Sequence, residues 1–259
     1  MHRNVVIYLV VIQIIKKGKK MESVFEREQP VLPSLCDFNA TLSVSSIAGL
    51  FMDIAMYHAE ALGIGFTGFN ERGLFWITAK TKIKMVQKAN MAEKVKVTTW
   101  PEEAGMLKCN RDYEITNDKG VIALGKTEWA VIDQATHTLQ KAKGIYPEGL
   151  EISERIAIPE PFAKLKDDFD GEFIGKYTIR SIDTDYGRHM NNVAYIRTVE
   201  GLFSTDELEK NPINELEIHY KNSSFEGETL SFFANKCEEY TDIKAVREDG
   251  TVAVLVRIK

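Results

Sequence analysis

Cysteine is scarce in this chain: three in 259 residues, Cys36, Cys109 and Cys237. They lie far apart and form no C-x-x-C pair, which excludes a zinc site or a dithiol redox centre and fits a reducing cytoplasm. No group of His, Cys and Asp has metal-ligand spacing, so no metal is expected, and no cofactor either. Long apolar runs are missing too. The stretch Val5 to Ile15 falls short of the roughly 20 residues that span a bilayer. Its lysines, Lys16, Lys17, Lys19 and Lys20, follow the apolar stretch, whereas a signal peptide places positive charge before it. An excess of positive charge is also absent. With 27% charged residues and a formal net charge of −5, the chain has no basic stripe for nucleic acid.

The first twenty residues read as an extraneous or disordered extension, with Met21 as the expected start. Lys-Lys-Gly-Lys-Lys is what a purine-rich ribosome-binding site encodes when it is translated. Peptide mapping of the native protein that found residues 1–20 would refute this reading. Leaving out Arg3 and the four lysines takes the net charge from −5 to −10, so the folded part is acidic.

With 44% hydrophobic residues, the chain has ample material for packed cores. Ile47, Leu50, Phe51, Ile54, Ala55 and His58 recur at spacings of three and four, which predicts an amphipathic helix over 43–62 with Ser43 or Ser45 as N-cap. Strand-like runs follow at 74–85, 94–100, 107–117 and 121–133. The order then recurs: a helix from Asn191 or Asn192 to about Phe203, then strands near 215–223, 229–238, 242–247 and 252–258. This is an α+β chain with an internal duplication, each copy a helix followed by a four-stranded antiparallel meander. The copies are expected at 21–140 and 172–259, joined by a proline- and charge-rich linker over 141–171.

At an offset of 148 residues, Asp37-Phe38-Asn39-Ala40-Thr41-Leu42-Ser43 lies over Asp185-Tyr186-Gly187-Arg188-His189-Met190-Asn191. Only the second copy keeps an Asp and a His together, so chemistry is expected there, with binding or shaping left to the first. A helix N-terminus offers free backbone N–H groups to a developing oxyanion. Asp185 has the right chemistry to orient or deprotonate a water, and His189 to polarise a carbonyl or relay a proton. The bland alternative is that Asp185 and Asn191 cap the helix and His189 is an ordinary surface histidine.

Arg72-Gly-Leu-Phe-Trp76-Ile-Thr-Ala-Lys80, Val95-Lys-Val-Thr-Thr-Trp100 and Thr127-Glu-Trp129-Ala-Val-Ile-Asp133, taken with the second-half loop, resemble the plant and bacterial acyl-acyl-carrier-protein thioesterases from about Glu22 onward. The resemblance implies two tandem hotdog folds, each a long helix wrapped by a curved antiparallel sheet, and hydrolysis of fatty acyl thioesters of acyl carrier protein. That family carries an Asp-x-Asn-x-His motif and a glutamate on the next strand. Asp185 and His189 match, but the Asn position is Gly187 and the glutamate position is Ser223. A hydroxyl holds a water but does not take its proton near neutral pH, which leaves Asp185 as the main base candidate. Asp185, His189, Asn191 and Ser223 form the expected catalytic set. The wording around His189 also resembles single-hotdog acyl-CoA thioesterases. An acyl-CoA thioesterase and a non-catalytic acyl-binding protein are therefore both alternatives.

Met52, Met56, Trp76 and Trp129 are candidate acyl-pocket residues, with Asn192 and Tyr195 at the reacting end, although plain core is the commoner role for residues so spaced. His58 and His219 read as structural. Gly63-Ile-Gly65-Phe-Thr-Gly68 follows a helix rather than a strand, so it reads as a helix stop and not a dinucleotide loop. An acidic carrier needs a basic patch on an acidic enzyme. Lys80, Lys82 and Lys84 share one face of a strand and form the expected docking surface, with ordinary solvation as its alternative. Exposed sheets of this fold allow two copies to pair, though nothing in the sequence requires it.

Overall fold

A computed structural model describes residues 21–259, so the expected extension at 1–20 lies outside the described residues. The elements run β1 (Phe25–Pro30), α1 (Val44–Ala61), α2 (Phe66–Asn70), β2 (Leu74–Met85), β3 (Lys94–Pro101), β4 (Cys109–Asn117) and β5 (Gly120–Asp133). A long connection leads to β6 (Glu172–Thr178), α3 (Asn192–Glu200), α4 (Thr205–Lys210), β7 (Glu215–Tyr220), β8 (Thr229–Lys236), β9 (Thr241–Val246) and β10 (Val252–Ile258).

All ten strands form one antiparallel sheet in the order β1-β3-β4-β5-β2-β7-β10-β9-β8-β6. Read outward from the centre, each half repeats the other, with β2 and β7 paired at the seam from Lys80↔His219 to Lys84↔Glu215. Each half has five strands, not the four expected. β1 and β6 are its edges, and their exposed, charged sequences lack the alternation that marks a half-buried strand. Nor is each half a simple meander, because β2 pairs with β5 instead of β3. The second helix is also shorter than expected. It ends at Glu200 with Gly201 as its C-cap, and α4 restarts behind a capping box of Ser204 and Glu207.

The helices α1 and α3 pack against each other on one face of the sheet. Their apolar stripes meet both halves of the sheet in one core that includes Ile47, Phe51, Tyr113, Tyr195, Ile218 and Phe232. Gly125 on β5 permits the closest approach: a Cβ there would lie 2.2 Å from Phe51 Cε2. Phe51 can then stack on Tyr113 with ring centroids 4.6 Å apart. His58, on the inner face of α1, is buried and structural. Arg111 donates to its Nδ1 at 3.0 Å, and its Nε2 donates to the Glu22 carbonyl at 3.0 Å. Burial, reinforced by the Arg111 charge, pushes its pKa down to about 3. Gly63, at φ 70°, follows the end of α1, where the expected helix stop lies.

The opposite face carries a cross-strand row: Trp100, Asp112, Lys126, Lys82, Glu217, Arg257 and Asp242 stand in direct register across seven strands. The connection between the halves runs over this row. Trp100 Nε1 donates to the Arg155 carbonyl, Lys126 Nζ to the Ile158 carbonyl, and the Ala163 N–H to Glu217 Oε1. Lys244 Nζ then reaches the Phe169 carbonyl. His219 lies in this layer, 2.8 Å from Glu217 Oε1 and edge-on to Phe162.

This layer corrects the expected docking surface. Lys82 is buried and paired with Glu217 at 3.2 Å, and Lys80 pairs with Glu128 at 3.3 Å beneath the Phe162 ring. Lys84 alone of the three is exposed. The three lysines share a face, but a sheet face covered by its own linker turns two of them into structural ion pairs.

Candidate active site

The approach to α3 is a tight loop whose backbone is held by one carboxylate. Asp185 Oδ1 accepts from the N–H of Gly187 at 2.8 Å and of His189 at 3.3 Å, and the Asp185 N–H donates to the His189 carbonyl at 2.9 Å. Asp37 holds the first-half loop in the same way, accepting from Asn39 N at 2.9 Å and Thr41 N at 3.1 Å. The N-caps match too: the Ser43 side chain accepts from Ser46 N and the Asn191 side chain from Val193 N. Asp183, two residues before Asp185, is buried and spent on Tyr177 OH and Arg180 N.

Asp185 and His189 are brought together around Gly187. A Cβ at Gly187 would lie 3.1 Å from Asp185 Oδ1 and 3.2 Å from His189 Nδ1, so both groups converge on the space the missing side chain leaves. His189 is half-buried, and among the described residues neither of its ring nitrogens has a hydrogen-bond partner. Its ring lies 5.0 Å from that of Phe225, on a segment bridged to it through the pairing His189↔Phe225. Ser223 is exposed two residues before Phe225, while Ser224 between them is fully buried. Ser223 thus lies two residues from the bridge partner of His189.

Asn191 spends its side-chain oxygen on the cap, so the bland reading of that residue describes its geometry. Asn192 is half-buried in the first turn, and its carbonyl accepts from Tyr220 OH at 3.2 Å. Tyr195 is buried one turn on, with its ring 6.0 Å from that of Tyr220. In the first half, Met52 is packed on the main core and Met56 is half-buried. Trp76 is stacked on Phe69 at 4.9 Å and edge-on to Trp129 at 6.4 Å, and its Nε1 donates to the Ile64 carbonyl. Phe69 and Trp76 belong to a satellite cluster at the far end of α1, while Trp129 packs on the main core.

Two contacts have no counterpart in the sequence reading. Phe66 on α2 meets Tyr186 of the loop edge-on at 5.2 Å, and both rings are exposed. Phe225 flanks His189. A lone exposed aromatic carries no sequence signal, because only the tertiary contact distinguishes it from any other surface ring. The acids near Ser223 do not replace the missing glutamate: Glu228 pairs with Arg247 at 2.6 Å and accepts from Phe225 N, and Glu226 is exposed. Among the described residues no set of His, Cys, Asp and Glu is arranged to hold a metal ion, and no helix is long and apolar enough to cross a membrane.

Comparison with known proteins identifies the family and the fold. The acyl-ACP thioesterase N-terminal domain matches residues 22–148 and the acyl-ACP thioesterase C-terminal domain residues 166–258. The chain is 26% identical over 202 residues to the chloroplastic oleoyl-acyl carrier protein thioesterase of Coriandrum sativum, covering 71% of this chain and 54% of that one. It spans between 46% and 64% of the length of the curated relatives it matches. Its fold is that of an acyl-ACP thioesterase from Bacteroides thetaiotaomicron, with a TM-score of 0.82 at 22% identity, covering 93% of this chain and 99% of that one. It is also that of the 12:0-ACP thioesterase from Umbellularia californica, with a TM-score of 0.78 at 16% identity, covering 91% and 96%. With two tandem hotdog halves and both domain models matched in order, the chain belongs to the acyl-ACP thioesterase family.

Proposed function

We propose that this chain hydrolyses fatty acyl thioesters of acyl carrier protein to the free acid and the carrier thiol, with the chemistry in the second half. The convergence of Asp185 and His189 on the space at Gly187, beside the start of α3, carries this reading. A water held between the two gives a proton to Asp185 as its oxygen bonds to the thioester carbon. The carbonyl electrons move onto oxygen, which the first-turn N–H groups of α3 stabilise. As the carbonyl re-forms, the C–S bond breaks and the departing thiolate receives the proton through His189. Ser223 helps to hold the water. The first half binds the acyl chain, and no metal or cofactor takes part.

For the carrier, exposed cations beside the site take over from the ion-paired Lys80 and Lys82: Arg180, Arg188 and Lys221 are all exposed and flank the loop and the Ser223 segment in sequence. The three free thiols suit a reducing compartment, and we assign the protein to the cytoplasm.

A second reading, a binding protein without turnover, draws on Gly187 and Ser223 standing where the family's Asn and Glu are expected. One experiment separates the two: release of fatty acid from a panel of carrier and CoA thioesters by wild type, His189→Ala and Asp185→Asn. Turnover that falls by about 100-fold or more in both variants supports hydrolysis at this site. Acyl-ligand binding without turnover in wild type would favour the second reading.

A further inference from the structure

The two halves share a loop but differ in what sits on the helix that follows it. In the first half the Ser45 N–H, in the first turn of α1, donates to Glu200 Oε2 at 3.1 Å, and the neighbouring Val44 N–H favours the ionised form of the same carboxyl. Glu200 is the last residue of α3, so the occupant comes from the other half. It borders a cavity of about 670 Å3 whose lining includes Asp37, Thr41, Ser45, Arg197 and Phe203. Burial raises the pKa of this carboxyl, and the charge of Asp37 acts in the same direction; the α1 N–H groups oppose both.

The offset of 148 that superposes the loops and caps carries into the helices. Val44 and Ser45 correspond to Asn192 and Val193, and Glu200 corresponds to Met52. By this correspondence Met52, a thioether packed on the main core, holds in the first half the position that the Glu200 carboxylate holds in the second. Asn191 satisfies Val193 N, and among the described residues nothing accepts from Asn192 N. A second difference lies beside it. Tyr195 OH and Ser224 Oγ are buried near each other, yet neither makes a hydrogen bond of ordinary geometry. Their first-half counterparts are apolar: Ile47 by the same offset, and Ala89, whose carbonyl takes Leu42 N as that of Ser224 takes Met190 N. Unsatisfied buried hydroxyls are uncommon, and they mark the second half as the copy built to receive a polar group.

We infer that the Glu200 carboxylate is a built-in occupant of the first-half copy of the site, and that Met52, its counterpart, leaves the Asn192 N–H open to the substrate's carbonyl oxygen. Positions 200 and 52 thereby reinforce a difference between the halves that the Thr41/His189 exchange already makes. This rests on the thioesterase reading for its substrate, but the geometry can be tested without it.

Met52→Glu should place a carboxylate on the start of α3 as Glu200 does on α1, with Met52→Gln as the uncharged control of equal size. Turnover by Met52→Glu is expected to fall about 100-fold below that of Met52→Gln, the scale of losing an oxyanion donor. The amide resonance of Asn192 should titrate with pH in Met52→Glu only. In wild type the Ser45 amide should titrate, and Glu200→Gln should abolish that response. Equal turnover in the two position-52 variants, or a Ser45 amide in wild type insensitive to pH, would overturn the inference. If wild type hydrolyses no thioester, the functional reading fails and the amide titrations still decide this one.

Discussion

Ala40 and Arg188 stand 148 residues apart and share a left-handed backbone, with φ of 56° and 62°. Neither is glycine, and such a conformation costs an L-residue on the order of 1 kcal/mol. Both halves accept it because an Asp accepting from two loop N–H groups over-determines the turn. The loop backbone has been kept in duplicate while its chemistry has diverged: His189 and Thr41 occupy one position of one turn.

Gly187 decides how closely Asp185 and His189 approach. Its matched residue Asn39 shows that the turn accepts a side chain, so Gly187→Ala should fold normally. Its Cβ, 3.1 Å and 3.2 Å from the two groups, must push them apart by a few tenths of an ångström. A fall in kcat of about 10-fold with little change in melting temperature is expected. Unchanged kcat would show that the two groups do not act through this space. Steady-state kinetics beside a thermal melt makes the measurement.

Asp112 sets a pH dependence of stability. It is fully buried, and neither carboxylate oxygen makes a hydrogen bond of ordinary geometry. Lys126, directly across the strand, pairs with Glu102 at 2.7 Å. Burial, with the charge of Glu102 adding, raises the Asp112 pKa from 3.8 to about 7. The native state thus keeps a proton that the unfolded chain releases near pH 4. Stability falls as pH rises from about 4 to about 7, and the loss is complete above that. Asp112→Asn should be near neutral at pH 4 and stabilising by a few kcal/mol at pH 8, because each tenfold difference in proton affinity is worth about 1.4 kcal/mol. Urea denaturation at the two pH values tests it, and equal effects at both would refute it.

Gly125 should tolerate no side chain while Phe51 is present. Gly125→Ala puts a methyl 2.2 Å from the Phe51 ring and is expected to destabilise by about 1–3 kcal/mol. Phe51→Leu in the same chain should recover part of that loss, giving a coupling energy in a double-mutant cycle. Additive effects would place the strain elsewhere.

Much of this molecule was legible in one dimension. Runs rich in β-branched and aromatic residues, bounded by turn signals, located β2, β3, β5 and β10 to within a residue or two. The N-caps followed from side chains that satisfy their own backbone, a strictly local interaction. The repeat at an offset of 148 exposed the duplication, and the single surviving Asp/His pair pointed to the second half.

What the tertiary structure alone decided involves partners distant in sequence. Edge strands β1 and β6 bury too little to show a pattern. Lys82 is a charged residue at an alternating position, and only the linker folding over the sheet buries it on Glu217. Glu200 reads as an ordinary helix-end acid until the packing of α3 on α1 lays it against Ser45, 155 residues away. Local propensity and periodicity belong to neighbouring residues and can be read along a chain, whereas the field and burial at a side chain depend on whatever the fold brings beside it.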